Sequence, residues 1–262
     1  MASAAFAAAA MVVPAAQAAT PAPGYEQFAG CPSHAEDPLI EVCLHSVITG
    51  GHFQMGSKDV PITNPIPLNG GTDGNLENFA ANSKGGLTPV KQKVPGGVVG
   101  LTGLTWLLEV LGSEALTLYA VTEAVGLPHL SLSEIKLPIR VHLINGALGN
   151  NCYVGSPSNP INLNLTTGTT SPPLPNKPIS GQEPTLSFNE ASGILKASNG
   201  KYVDNSFAAP GASGCVLTVF GFIPISINGL VNSQSGLPSA AGKNATTQEI
   251  TAEFAPSELV YP

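Results

Sequence analysis

Residues 135 to 143 constrain the fold more than any other stretch of the chain. Ile135, Leu137, Ile139, Val141 and Leu143 are apolar, and the positions between them are Lys136, Pro138, Arg140 and His142. Successive side chains of a β-strand point to opposite faces, so a period of two builds one apolar and one polar face; a helix would scatter the same residues around its axis. The stretch predicts a strand with one buried face. Pro138 brings no N–H to a ladder and predicts an edge or a bulge at that point. Weaker alternation recurs within residues 115–125, 161–165 and 250–254, and residues 52–62 read as a hairpin turning at 56–59. Gly, Pro, Asn and Ser separate these runs, as turns require. The fold class is therefore all-β, and a β-sandwich with Greek-key-like connections is the architecture expected.

One segment breaks the pattern. Residues 104–111, LTWLLEVL between Gly103 and Gly112, are apolar on too many faces for an alternating strand. They predict one short helix around Trp106, with the ring of this single Trp as a core anchor. Residues 165–184 are proline-rich and predict a long loop of polyproline II character, near which (166–184) the chain would subdivide if it held two domains. Pro-Ile-x-aliphatic-Asn occurs three times, starting at Pro65, Pro160 and Pro224, at unequal spacings. A strand opening followed by a turn accounts for the repetition.

Compartment follows from the N-terminus and the cysteines. Residues 1–18 form an Ala-rich apolar run ending in Ala16-Gln17-Ala18, a small-x-small pattern that predicts a signal peptide cleaved before Ala19, although no Lys or Arg precedes the run. The mature product would be a single secreted β-rich domain, 19–262, without a transmembrane segment. Four cysteines, Cys31, Cys43, Cys152 and Cys215, make an even set, which in an exported chain predicts two disulfides among three connectivities. Cys31–Cys43 closes a short loop holding Pro32 and Pro38, and Cys152–Cys215 clamps distant segments; this is the pairing favoured. The C-x-x-C spacing of a zinc site is absent.

Charge sets the partner class. Charged residues make up 10% of the chain, against roughly 25% in an average soluble domain, and the net charge is −7 with Arg140 the single Arg. Phosphate contact needs clustered Lys and Arg, so no nucleic-acid partner is expected. No catalytic constellation is visible either, and the chain is not expected to be an enzyme. Residues 211–215, GASGC, have Cys where a nucleophile elbow carries Gly, so Ser213 reads as a turn residue. The five histidines form no H-E-x-x-H or H-x-H pair, although His45 and His52 flank Gly50-Gly51 and could meet across a turn; His142 falls on the wet face of its strand. Asp37, Asp59, Asp73 and Asp204 sit in turn-like contexts. The loop GGTDGNLEN, 70–78, offers Asp73, Asn75 and Glu77 as alternating oxygen donors and is the one weak calcium candidate. Otherwise no cofactor is implied. Two sequons, at Asn164 and Asn244, read as chance.

The segments GHFQMGSKDVPITNPIPLNGG, LTWLLEVLG, GNNCYVGSPSNPINLNLTTGTTSPP and SGLPSAAGKNATTQE together resemble a group of secreted, β-rich actinobacterial proteins with no assigned activity. That resemblance implies an extracellular or cell-envelope location and carries over no catalytic residue. The function expected is a secreted or envelope-associated, non-catalytic role in adhesion, assembly or structural support, including self-association through strand edges that few charges guard. The alternatives are an extracellular binder of an apolar ligand or lipid, walled by residues 98–111 and 220–227, and a secreted hydrolase with a dispersed site. A neutral polysaccharide, a lipid or a second copy of the chain is the partner class that such a surface suits.

Overall fold

A computed structural model of the chain describes residues 19–219 and 222–262. Residues 1–18, for which the sequence predicts a signal peptide, lie outside the described residues. In chain order the elements are β1 (Val42–Met55), β2 (Lys58–Pro61), β3 (Ile66–Thr72), β4 (Phe79–Ala80), β5 (Gly86–Leu87), β6 (Lys91–Lys93), α1 (Gly97–Thr102) and α2 (Leu107–Ala115). There follow β7 (Tyr119–Ala124), β8 (His129–Leu130), β9 (Glu134–Ile144), β10 (Tyr153–Val154), β11 (Ile161–Thr166), β12 (Thr185–Asn189) and β13 (Ile194–Asp204). The last are β14 (Ala212–Ser213), β15 (Val216–Val219), β16 (Ile223–Ser226), α3 (Asn228–Ser235), β17 (Ala245–Pro256) and α4 (Ser257–Val260).

The protein is mostly β. Fifteen strands form one antiparallel sheet that curls on itself, with the main path β14-β10-β9-β11-β13-β17-β1-β3-β4 and the other strands paired to its members. The β-rich class that the sequence predicts is thus realised as a large curled sheet. β15 and β16 pair only with each other, as a ribbon separate from that sheet. β9 is the predicted alternating strand: Leu137, Ile139, Val141 and Leu143 are buried in the largest core. It is a central strand, with β11 along its first half and β10 beyond on one side, and β8 then β7 on the other. Pro138 is tolerated there because it falls at the break between β8 and β7, where its ring packs against Gly126, whose missing Cβ would come within 2.8 Å. The Pro-Ile repeats open β3 and β11 and lie within β16.

Curling brings β6 beside the 63–64 connection, where no strand ladder continues. One side chain closes that seam. Gln92 Oε1 accepts from the Thr63 and Asn64 N–H groups at 2.9 and 3.0 Å, its Nε2 donates to the Asn64 carbonyl at 2.7 Å, and Asn64 Nδ2 donates to the Lys91 carbonyl at 2.7 Å. Gln92 is itself buried. An amide side chain presents a donor and an acceptor at peptide spacing, so it substitutes for a missing backbone partner.

On the outer face of β1 and β17 a second core gathers Phe28, Ile40, Ala255 and Val260 around the Cys31–Cys43 disulfide. The other disulfide joins Cys152 to Cys215, a separation of 63 residues. It fastens the segment leading into the β15–β16 ribbon to the region around β10.

Candidate functional site

The sequence-predicted site residues do not converge. Asp73 Oδ1 accepts from the Glu77 N–H at 2.9 Å and Oδ2 from Asn78 Nδ2 at 2.6 Å, so the carboxylate caps its own loop. The Asn78 side chain, with the Glu77 N–H second, holds the Asp73 carboxyl below its ordinary pKa. Among the described residues no group of three or more His, Cys, Asp or Glu side chains is placed to hold a metal. His45 and His52 go separate ways. His45 Nδ1 lies 2.7 Å from Asn69 Oδ1 and His52 Nδ1 lies 2.9 Å from Asp59 Oδ1. Ser213 ends β14 just before Gly214, whose φ of 70° turns the chain into Cys215. Asp204, expected in a turn, ends β13 at 2% exposure and accepts from the Asn164 and Ser206 N–H groups at 2.7 and 2.8 Å. Burial outweighs these bonds and raises its pKa. Asn244, the second sequon, is buried and spends its amide on the Gly56 N–H and the Phe207 carbonyl.

His142 is not simply solvated. Its ring stacks on Tyr153, with centroids 4.2 Å apart, and its Nδ1 lies 3.5 Å from Glu123 Oε1. Arg140 donates to Glu123 Oε2 from both Nε (2.8 Å) and Nη2 (2.7 Å), and its guanidinium stands 4.3 Å from the centre of the Tyr153 ring. Strand register explains the cluster: Glu123 opposes Arg140 and Tyr153 opposes His142. Residues 17 apart on different strands meet only once pairing is known, so the sequence carried no local sign of it. The charges answer one another, and the cluster reads as a cross-strand brace.

The two ends of the curled sheet differ sharply. At one end α1, α2 and α3 close the interior. Val98, Leu101, Leu107, Leu116 and Val231 are buried there in the main core. Yet Leu107 is the one residue of α2 that falls fully inside. Trp106 is the N-cap of α2 and 48% exposed, against the expectation of a core anchor, and Leu108, Val110 and Leu111 are exposed beside it. A helix this short, broken at Gly112 (φ 75°), has one face against the core, and so many apolar residues cannot share it. Phe222, Ile223 and Ile225 of the β15–β16 ribbon are exposed as well. The ribbon and α2 stand at the same end: Asn145 Nδ2 donates to the Ala115 and Thr117 carbonyls, both at 2.8 Å, and Val216 of β15 packs close to Gly149 just beyond. Of the stretches expected to wall a ligand cavity, Leu101 lines a small cavity of about 30 Å³ and Val99 and Leu108 line an open one of about 650 Å³ beside Lys93 and Pro95; residues 220 and 221 lie outside the described residues.

At the opposite end the inner face opens as a mouth. A cavity of about 40 Å³ lies among Leu44, Leu68, Thr72, Leu130, Ala197 and Phe254. Deeper along the same strands, a second cavity of about 60 Å³ is lined by Ile48, Ile66, Leu137 and Gln248. Leu76, at the tip of the Asp73 loop with a φ of 63°, lines the outer one.

Comparison with protein-family models, with curated proteins and with solved structures found no match.

Proposed function

We propose that this is a non-catalytic extracellular protein with a structural or assembly role, and that it works by self-association through its helical end. The observation that carries this reading is the exposed apolar set on α2 and the β15–β16 ribbon. Large apolar groups concentrated at one end of a soluble protein mark an interaction surface. β16 adds an edge strand, Ile-Pro-Ile-Ser, exposed at every residue and free of charge. Such an edge invites a second chain. The acidic groups nearby, Glu109 and Glu114 on α2, favour a protein partner over an anionic lipid surface, which calls for Lys and Arg.

Two disulfides and the lack, among the described residues, of any helix long and apolar enough to cross a membrane fit an extracellular setting. Export by residues 1–18, a single domain over 19–262 and an envelope location belong to the same proposal. Within it the two facing halves of the curled sheet serve as a sandwich-like core, and no cofactor takes part. Sedimentation velocity over a concentration series tests it. The native chain should self-associate, and Trp106→Ser with Val110→Ser and Phe222→Ser should be monomeric with an unchanged melting midpoint. A native chain that stays monomeric at high concentration overturns the reading; flotation of that monomer with neutral vesicles would replace it with a lipid-binding one.

A further inference from the structure

An open cleft of about 520 Å³ lies between the start of β11, the 208–210 connection and the 238–240 connection. Asn159 and Asn162 line it with exposed side chains, and among the described residues neither amide is spent on a bond within the protein. Ser239 lines it as well. This residue is 4% exposed, and its Oγ has no hydrogen-bond partner. A buried hydroxyl left unpaired is costly, and natural cores keep few of them. The remaining lining is Pro and Ala, and no lining side chain is charged or aromatic. The walls are set before any ligand arrives. Ala209 and Ser239 exchange both backbone N–H···O bonds at 2.8 Å. Asn244 Nδ2 donates to the Phe207 carbonyl at 2.8 Å and to the Ala240 carbonyl at 3.1 Å, so one buried amide ties the two connections together. A site held in this way loses little to ordering when it is filled.

We propose that this cleft binds a neutral saccharide, a short stretch of pyranose units. Its volume of about 520 Å³ falls within the range of ligand clefts, roughly 300 to 1,000 Å³. The polar chemistry matches a sugar. Each Asn amide presents a donor and an acceptor, and each sugar hydroxyl is both, so the two amides pair with neighbouring hydroxyls without burying a charge. The Ser239 hydroxyl moves among three staggered positions, and a sugar hydroxyl supplies the partner that the fold withholds. Between its hydroxyls a pyranose carries C–H surface, for which Pro160, Pro210 and Pro238 offer saturated rings. The same prolines disfavour an extended peptide, which binds by pairing with backbone N–H groups that proline lacks. No Lys or Arg lines the cleft to answer a carboxylate, sulfate or phosphate, so the sugar it suits is uncharged. With no aromatic ring to stack on, binding rests on hydrogen bonds, and a Kd of about 1 mM is expected.

Saturation-transfer NMR titration of the full chain tests the proposal. The neutral probes are maltotriose, cellotriose and mannotriose, with trigalacturonate as the charged counterpart and tetraglycine as the peptide one. At least one neutral trisaccharide should bind saturably, and trigalacturonate and tetraglycine much more weakly. Asn159→Ala with Asn162→Ala changes two exposed side chains and should weaken the neutral probe about tenfold, the size of two modest hydrogen bonds. Ser239→Ala should weaken it too, with a melting midpoint unchanged or raised, because it deletes a buried hydroxyl that has no partner. Trp106→Ser with Phe222→Ser should leave binding unchanged. The site is overturned if none of the three neutral probes binds saturably, or if trigalacturonate or tetraglycine binds as tightly. It is equally overturned if neither the Asn pair nor Ser239→Ala weakens binding, or if the Trp106 and Phe222 changes abolish it. The cleft shares no residue with α2 or the ribbon, so failure of either proposal leaves the other standing.

Discussion

The helical end and the mouth are made from the same poorly charged alphabet and use it in opposite ways. At the helical end the interior is sealed by three helices and the surplus apolar groups are turned outward on α2 and on the ribbon. At the mouth the apolar groups line the inner face, and one loop of hydrogen-bonded polar residues, 73–78, lies over them. The ends also differ in how they are fastened. Each end has a disulfide, Cys152–Cys215 at the helical one and Cys31–Cys43 opposite Gly71 near the mouth, but the Asn145 amide pins the helical end, while the 73–78 cap of the mouth is tied only to itself. A low charge count therefore does not specify exposure or concealment. What decides is whether the apolar residues sit on strands that curl, which share an inside, or on a short helix and a detached ribbon, which have little inside to share.

The most severe way to break this contrast is to remove the Cys152–Cys215 bond. Replacing both cysteines by Ser should cost about 4 kcal/mol, from the entropy of a loop of that length, and should lower the melting midpoint sharply. Hydrogen exchange should show the loss of protection concentrated around the ribbon and α3, with the mouth strands little affected. Asn145→Ala is next. It strips two carbonyls and the Ala147 N–H of their partner and should cost about 2 kcal/mol by thermal denaturation.

Asp73→Ala should leave the global midpoint near its native value but make the 73–78 loop a protease site, read by limited proteolysis with mass spectrometry. Acid should act in the same way. The folded pKa of Asp73 lies below its ordinary value, so its hold on the loop is complete above that value and is lost as pH falls through the lowered one. Nicking within 73–78 should therefore rise as the solution is acidified, and Asp73→Ala should remove that dependence. The smallest effect belongs to Trp106→Ser, which should change stability by less than about 0.5 kcal/mol because the ring is half exposed and caps nothing. A large loss there would mean that the ring is a core element after all.

Much of the sheet was legible in the sequence, and the reason is local. Alternation in 135–143 reports burial on one face whatever the partner strands are, and the buried Ile161, Leu163 and Leu165 of β11 follow the same rule. Closure of the sheet was not legible, because it depends on Gln92 meeting Asn64 across a seam that no periodicity marks. The loop at 73–78 is ambiguous in sequence for a physical reason: carboxylate oxygens spaced for a cation are equally spaced for the N–H groups of their own turn, and Asp73 accepts from the Glu77 N–H and the Asn78 amide. Trp106 misled because size argues for burial, whereas the geometry around α2 leaves room for Leu107 alone. The outer cavity was invisible, since Thr72 and Phe254 lie far apart in sequence and neither belongs to a motif.

The pairing of β1 with β17 has a consequence for how the molecule comes into being. Val42 opposes Pro256 and Gln54 opposes Ala245, so β1 finds its neighbour in a strand roughly 200 residues further along the chain. A chain that emerges from its N-terminus first holds β1 without that partner until residues 245–256 appear, and such distant pairing makes for slow folding. The sheet is thus closed by its most distant pairing, and β1 keeps one edge open for as long as the β17 segment is missing.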